Sequence, residues 1–230
     1  MASRPAAAEE EDWAAEDRVV GESRWPMAGA VVAAMVLTFL LPDEVRQAPR
    51  WVLPSIEGAL LIALIAADPG KIDRRSGLLR TLSIVLVGAL VLAALWATAL
   101  LIDDLIHGGK ETNSASDLLL AGSTVWLSNN IAFALLYSEL DGGGPAARAH
   151  RLPTYVDLAF PQQMNPQLAP PNWRPRFVDY LYLGFTNATA FSPTDVMPLS
   201  PWAKIAMAVQ SVVSLAILGL VIARAVNVFA

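Results

Sequence analysis

Residues 78–102 read LLRTLSIVLVGALVLAALWATALLI, a run in which Arg80 is the only charged side chain. A helix needs about 20 apolar residues to cross the hydrocarbon core of a bilayer, so this run spans with residues to spare. Two others do the same: 118–138, LLLAGSTVWLSNNIAFALLYS, and 202–229, WAKIAMAVQSVVSLAILGLVIARAVNVF. The runs 27–41, MAGAVVAAMVLTFLL, and 51–67, WVLPSIEGALLIALIAA, sit near the lower limit of about 17 residues. Only residues 42–50 separate them, so they read either as two spans or as a re-entrant pair. Lipid offers backbone N–H and C=O groups no partner, which leaves helices or a closed barrel. Barrel strands alternate in polarity, and these runs are apolar all round. The expected fold is an all-α membrane protein, with about five transmembrane helices plus a half-helix before the last span.

Composition agrees. The 230-residue chain is 55% hydrophobic and only 16% charged, against about 25% in soluble proteins, and its mean hydropathy is +0.46. It has no cysteine, which excludes disulfides, thiolate metal sites and cysteine nucleophiles. Its two histidines stand apart, His107 in an acidic loop and His150 in a basic one, a poor basis for a metal site. The carboxylates nearest the membrane are Glu57, Glu139, Asp141, Asp157, Asp179 and Asp195. They fall in no recognised catalytic pattern. No enzyme activity, cofactor, metal or nucleic-acid partner is expected.

The chain divides into an acidic N-terminal tail (1–25), a four-helix membrane region (26–138), a Pro/Gly-rich connection (139–176) and a last module (177–230). The tail lacks the basic region and cleavage site of a signal peptide and reads as a solvated arm. The loop 68–80 carries Lys71, Arg74, Arg75 and Arg80, and 139–176 carries Arg148, Arg151, Arg174 and Arg176. The loop between them has Lys110 against Asp103, Asp104, Glu111 and Asp117. Basic residues favour the cytoplasmic side, so loop 68–80, segment 139–176 and the N-terminus are expected there. Pro153, Pro161, Pro166, Pro170, Pro171 and Pro175 forbid a long helix in 139–176, while its apolar fragment YVDLAF argues for packing.

Some polar residues are costly where they sit. Glu57 falls inside the second run; an ionisable intramembrane residue is by default a functional-site candidate, or it snorkels or pairs with Arg46 or Arg50. Asn129 and Asn130 lie mid-run about 100° apart around a helix, so at least one should face another helix. Gln210 and Ser214, spaced i, i+4, share a face of the last helix. Such a stripe suits a pore lining or a packed bundle.

The last module is the richest. FVDYLYLGFTNATA, 177–190, has the length of a half-helix of about 21 Å. Pro193 stops it, SPTDVMP must be extended or turned, and Ser200-Pro201 is a fair start for the last helix. Thr186, Asn187, Thr189, Ser192, Thr194 and Asp195 crowd the junction. This order resembles the pore module of the potassium-channel superfamily, an aromatic-rich pore helix, then T-x-x-T-V-G-Y-G-D-x-x-P, then an apolar inner helix. FTNATAFSPTDVMPLS keeps Thr186, Thr189, Asp195 and Pro198 in matching order, with one extra residue before Asp195. AFSPT replaces the Gly-Tyr-Gly filter core, and glycine reaches conformations that Phe191, Ser192 and Pro193 do not. Potassium selectivity is therefore not carried over. Side chains of Thr189, Ser192, Thr194 and Asp195 would line such a pore. The whole chain also resembles an uncharacterised family of bacterial multi-pass proteins, which implies an inner-membrane location and no particular activity.

Two functions remain open. One is a channel-like protein, a homo-oligomer and a tetramer if the resemblance holds. Its candidate ion pathway is Thr186, Asn187, Thr189, Ser192, Thr194, Asp195, Gln210 and Ser214, with Glu57, Asn129 and Asn130 as further intramembrane polar candidates. The other is a non-transporting scaffold or subunit that docks a protein partner through 139–176. Whether residues 177–198 cross the bilayer or re-enter is open at this level.

Overall fold

The computed structural model describes residues 21–42, 46, 49–107, 115–150, 156–189 and 195–229. Eight helices account for most of them: α1 (Trp25–Leu40), α2 (Val52–Ala67), α3 (Gly77–His107), α4 (Ala115–Leu140), α5 (Pro145–Ala149), α6 (Pro161–Met164), α7 (Phe177–Thr189) and α8 (Pro201–Phe229). Four two-residue strands form two antiparallel pairs. β1 (Glu22–Ser23) pairs with β2 (Lys71–Ile72), and β3 (Leu158–Ala159) with β4 (Met197–Pro198). Helices α3, α4 and α8 are long and apolar enough to cross a membrane, whereas α1 and α2 are apolar but 16 residues each. Large apolar side chains such as Ile62, Leu92, Trp96 and Val212 point outward. In water such a surface would drive association; hydrocarbon solvates it.

Local chemistry sets the helix limits. Pro26 and Pro201 open α1 and α8, where a missing N–H is harmless. Asp179 accepts the Arg176 N–H at 2.7 Å and anchors the first turn of α7. Gly142, Gly143 and Gly144 all have positive φ, a turn that only glycine makes cheaply; it ends α4 and folds the connection back beneath the bundle.

The helices share two ends. At the arginine-rich end, the buried Arg24 pairs with Asp68 at 2.8 Å, β1 pairs with β2, and Arg80 donates to Gly143 O. At the opposite end, Leu41, Leu101, Leu118, Ile217 and Val221 form one cluster. The described residues of the connection, 139–150 and 156–176, are pinned to the arginine-rich end. Asp141, 1% exposed, accepts the Asp157 and Leu158 amides on Oδ1 (3.1 and 3.0 Å) and the Tyr180 hydroxyl on Oδ2 (2.6 Å). Arg148 donates to the Ser138 and Asp141 carbonyls, both at 2.7 Å, and lies over the Tyr180 ring.

Helix α7 enters from this end. Its first N–H, at Phe177, meets Glu22 Oε1, and it packs on α4 and α8. Tyr180 and Leu183 share a cluster with Ala203 and Met207, and Asn187 reaches Ser211, so α7 and α8 run in the same direction. Asn187 therefore sits about 15 Å along α8. The chain then returns. β4 lies against β3, the Leu199 N–H meets Asp157 O at 2.8 Å, and Trp202 Nε1 donates to Asp157 Oδ1 at 3.0 Å. Of the two arrangements open for residues 177–198, the structure has the re-entrant one, beginning and ending at the arginine-rich end.

Asp141→Ala would orphan two amides and a buried hydroxyl. We expect a loss of about 2–5 kcal/mol in equilibrium unfolding from mixed micelles, with faster proteolysis within 142–176; wild-type behaviour in both would contradict this role. Glu22 gives a pH test. Burial raises its carboxyl above the ordinary range, against the opposing pull of the Phe177 N–H and the Arg148 guanidinium. A raised folded-state value means that its contribution to stability is complete at acid pH and is lost as pH rises through that value. Glu22→Gln, neutral throughout, should thus gain melting temperature relative to wild type at about pH 8 compared with about pH 5. A difference between the two proteins that does not change with pH would refute it.

Candidate functional site

The polar residues of α7 and α8 meet those of α4 in one buried cluster. Gln210 has no exposed surface, and its amide makes three hydrogen bonds. Oε1 accepts the Tyr137 hydroxyl at 2.6 Å and Asn187 Nδ2 at 2.8 Å, and Nε2 donates to Gly184 O at 2.9 Å. Asn187 Nδ2 also donates to Met207 O at 2.9 Å, and its Oδ1 accepts the Ser211 hydroxyl at 3.0 Å. Gly184 allows the approach. A Cβ there would stand 2.9 Å from Asn130 Oδ1 and 3.3 Å from Asn130 O, so any side chain would push α7 off α4.

The asparagine pair divides between neighbours. Asn129 points to α3, donating to Thr98 Oγ1 at 2.7 Å and to its own helix at Val125 O at 3.0 Å. Asn130 points to α7 beside Gly184. Among the described residues, Asn129 Oδ1, Asn130 Oδ1 and Ser214 Oγ are buried acceptors without a partner. Thr186 and Thr189 turn their hydroxyls back onto α7 carbonyls, Thr186 to Tyr182 O and Leu183 O, and Thr189 to Thr186 O. Asp195 is exposed on the returning limb just before β4. Ser192 and Thr194 lie outside the described residues.

Glu57 sits apart, 1% exposed, with both carboxylate oxygens buried and unpartnered. The expected pairing with Arg46 or Arg50 is not made. Arg46 instead donates to Leu41 O at 2.9 Å, capping the end of α1. Glu57, Arg46, Thr38 and Ser128 line one cavity of about 30 Å³, room for about one water molecule.

Sequence reasoning missed Tyr137, Asp141, Arg148 and Tyr180. Tyr137 carried a signal: it lies seven residues, two helical turns, after Asn130 and so on the same face. The other three become informative only when the chain folds back. Among the described residues no group of three His, Asp or Glu side chains could hold a metal. Comparison with family models, curated proteins and solved structures finds no match for the chain.

Chemically, the cluster ties a re-entrant helix to two long ones. Gln210→Leu would leave the Tyr137 hydroxyl, Asn187 Nδ2 and Gly184 O short of a partner and should lower unfolding stability by about 2–4 kcal/mol. Gly184→Ala should lower it by about 1–3 kcal/mol through overpacking. Unfolding in mixed micelles that matches wild type for both would show that the cluster does not hold α7.

Proposed function

We propose that the protein is a channel-like, multi-pass membrane protein whose pore module is residues 177–230. The observation that carries this reading is the re-entrant half-helix α7, followed by a returning limb and by the long apolar α8. That is the order of elements in the potassium-channel pore module, here without its Gly-Tyr-Gly filter. Helices α1 and α2 complete five spans in this reading. Each joins the arginine-rich end to the opposite end, α1 from the Arg24–Asp68 pair to the Leu41 cluster. The positive-inside count favours the cytoplasmic side for the arginine-rich end and the N-terminus, and the resemblance to bacterial multi-pass proteins favours an inner membrane.

Both Asn187 donors are saturated and Gln210 makes three hydrogen bonds inside the bundle, so the two residues brace the half-helix rather than face a conduit. The conduit falls to the returning limb, with Asp195, and to an axis between subunits, because one half-helix cannot enclose a pore. The same saturation favours the second reading, a non-transporting membrane subunit whose polar residues only join helices. In that case the partner would meet a platform whose described residues, 139–150 and 156–176, are held by Asp141, Arg148 and Asp157.

Ion flux into liposomes holding the purified protein decides between them. A pore predicts flux that Asp195→Asn lowers or shifts in cation-to-anion preference, with the oligomer unchanged. Absence of flux under every gradient, from intact wild-type protein, would leave the subunit reading.

A further inference from the structure

A second feature lies apart from the Gln210 cluster. Helices α1, α2, α3 and α4 leave a cavity of about 600 Å³, within the range of small-molecule sites. It opens at the arginine-rich end and runs inward between apolar side chains, among them Met27, Val31, Leu64 and Leu86. Its character changes along its length. The inner part is hydrocarbon, and the mouth is ringed by Arg24, Arg74, Arg75 and Arg80.

The charges at the mouth do not cancel. Arg24 is paired with Asp68 at 2.8 Å, and Arg80 stands 3.9 Å from Glu139. Arg74, exposed, donates only to a backbone carbonyl, Ala67 O, at 3.1 Å. Arg75 is exposed and carries no partner among the described residues. Among the described residues, the Arg74 and Arg75 guanidinium groups therefore have no carboxylate partner. The start of α3, at Ser76 and Gly77, forms part of the same rim, and the first turn of that 31-residue helix holds no acidic residue. A helix N-terminus presents free N–H groups and partial positive charge, which adds to the arginine field.

We infer that this cavity is a binding site for an anionic phospholipid, with the phosphate held at Arg74, Arg75 and the α3 N-terminus and an acyl chain in the apolar inner part. Charge and shape require both halves of that ligand. A soluble anion would leave the apolar part empty, and a neutral lipid would leave the arginines unmatched. A basic mouth between helices is the general form of an anionic-lipid site. The site shares no residue with the α4–α7–α8 cluster and does not rest on the pore reading.

Binding to the full-length protein in detergent can be measured by native mass spectrometry. The probes are phosphatidylglycerol, phosphatidylcholine with the same acyl chains, and glycerol phosphate. Phosphatidylglycerol should bind at least about tenfold more tightly than phosphatidylcholine, and Arg74→Gln/Arg75→Gln should weaken it about 10–30-fold. Arg75→Gln alone, which breaks no bond of the fold, should give a smaller loss in the same direction. Equal binding of the two lipids, or unchanged binding by both variants, would overturn the proposal. Glycerol phosphate that competes at the concentration of the lipid would also overturn it, by showing a headgroup site with no use for the acyl chain.

Discussion

The carboxylate of Asp141 joins three parts of the chain that the sequence keeps apart. Set just past the end of α4, it receives the amides of Asp157 and Leu158 where β3 begins, and the hydroxyl of Tyr180 from the first turn of α7. Each partner would otherwise be a buried donor without an acceptor, and such donors are expensive at the edge of a low-dielectric region. Because β3 in turn holds β4, one side chain positions both the entrance of the re-entrant segment and its exit. Arg148 seconds it, bound to the carbonyls of Ser138 and Asp141 and stacked on Tyr180.

This arrangement meets a general constraint. Non-helical backbone at membrane depth persists only where protein or water satisfies it. Here α7 is wedged against α4 and α8, and it comes close to the α4 backbone at Gly184. The Gln210 amide then acts as a bracket, holding the Gly184 carbonyl, the Tyr137 hydroxyl and the Asn187 amide at once. Polar contacts between membrane helices are individually modest, about 0.6–2 kcal/mol. Three on one side chain favour a single docked position of the half-helix.

Much of this was legible in the sequence. Hydropathy alone located α3, α4 and α8, and the proline pattern with Ser200-Pro201 located both ends of the module that holds α7. The same reading singled out Asn129, Asn130, Asn187 and Gln210, because amides within apolar runs must find partners. It did not say which partners. Tyr137 looks like ordinary core, and its hydroxyl matters only once Gln210 faces it. Glu57 was offered two arginines nearby in sequence, yet Arg46 is drawn to the end of α1 and the carboxylate is left in a small cavity. The arginine-lined cavity was not legible, since it combines residues from four helices. Whether 177–198 crossed or returned could not be read from composition, because both need the same polar segment; the β3–β4 pair decides it.

One consequence lies in the direction of α7. A half-helix that enters from the arginine-rich end places its carbonyl terminus, near Thr189, about midway along the bundle. The peptide dipoles add to roughly half a negative charge at that terminus, and the last turn of α7 contains no basic residue to offset it. The Thr189 hydroxyl donates to Thr186 O and the Ser211 hydroxyl to Asn187 O, which offsets part of that charge. The backbone orientation alone thus biases the end of α7 toward negative potential, which favours a nearby cation over an anion.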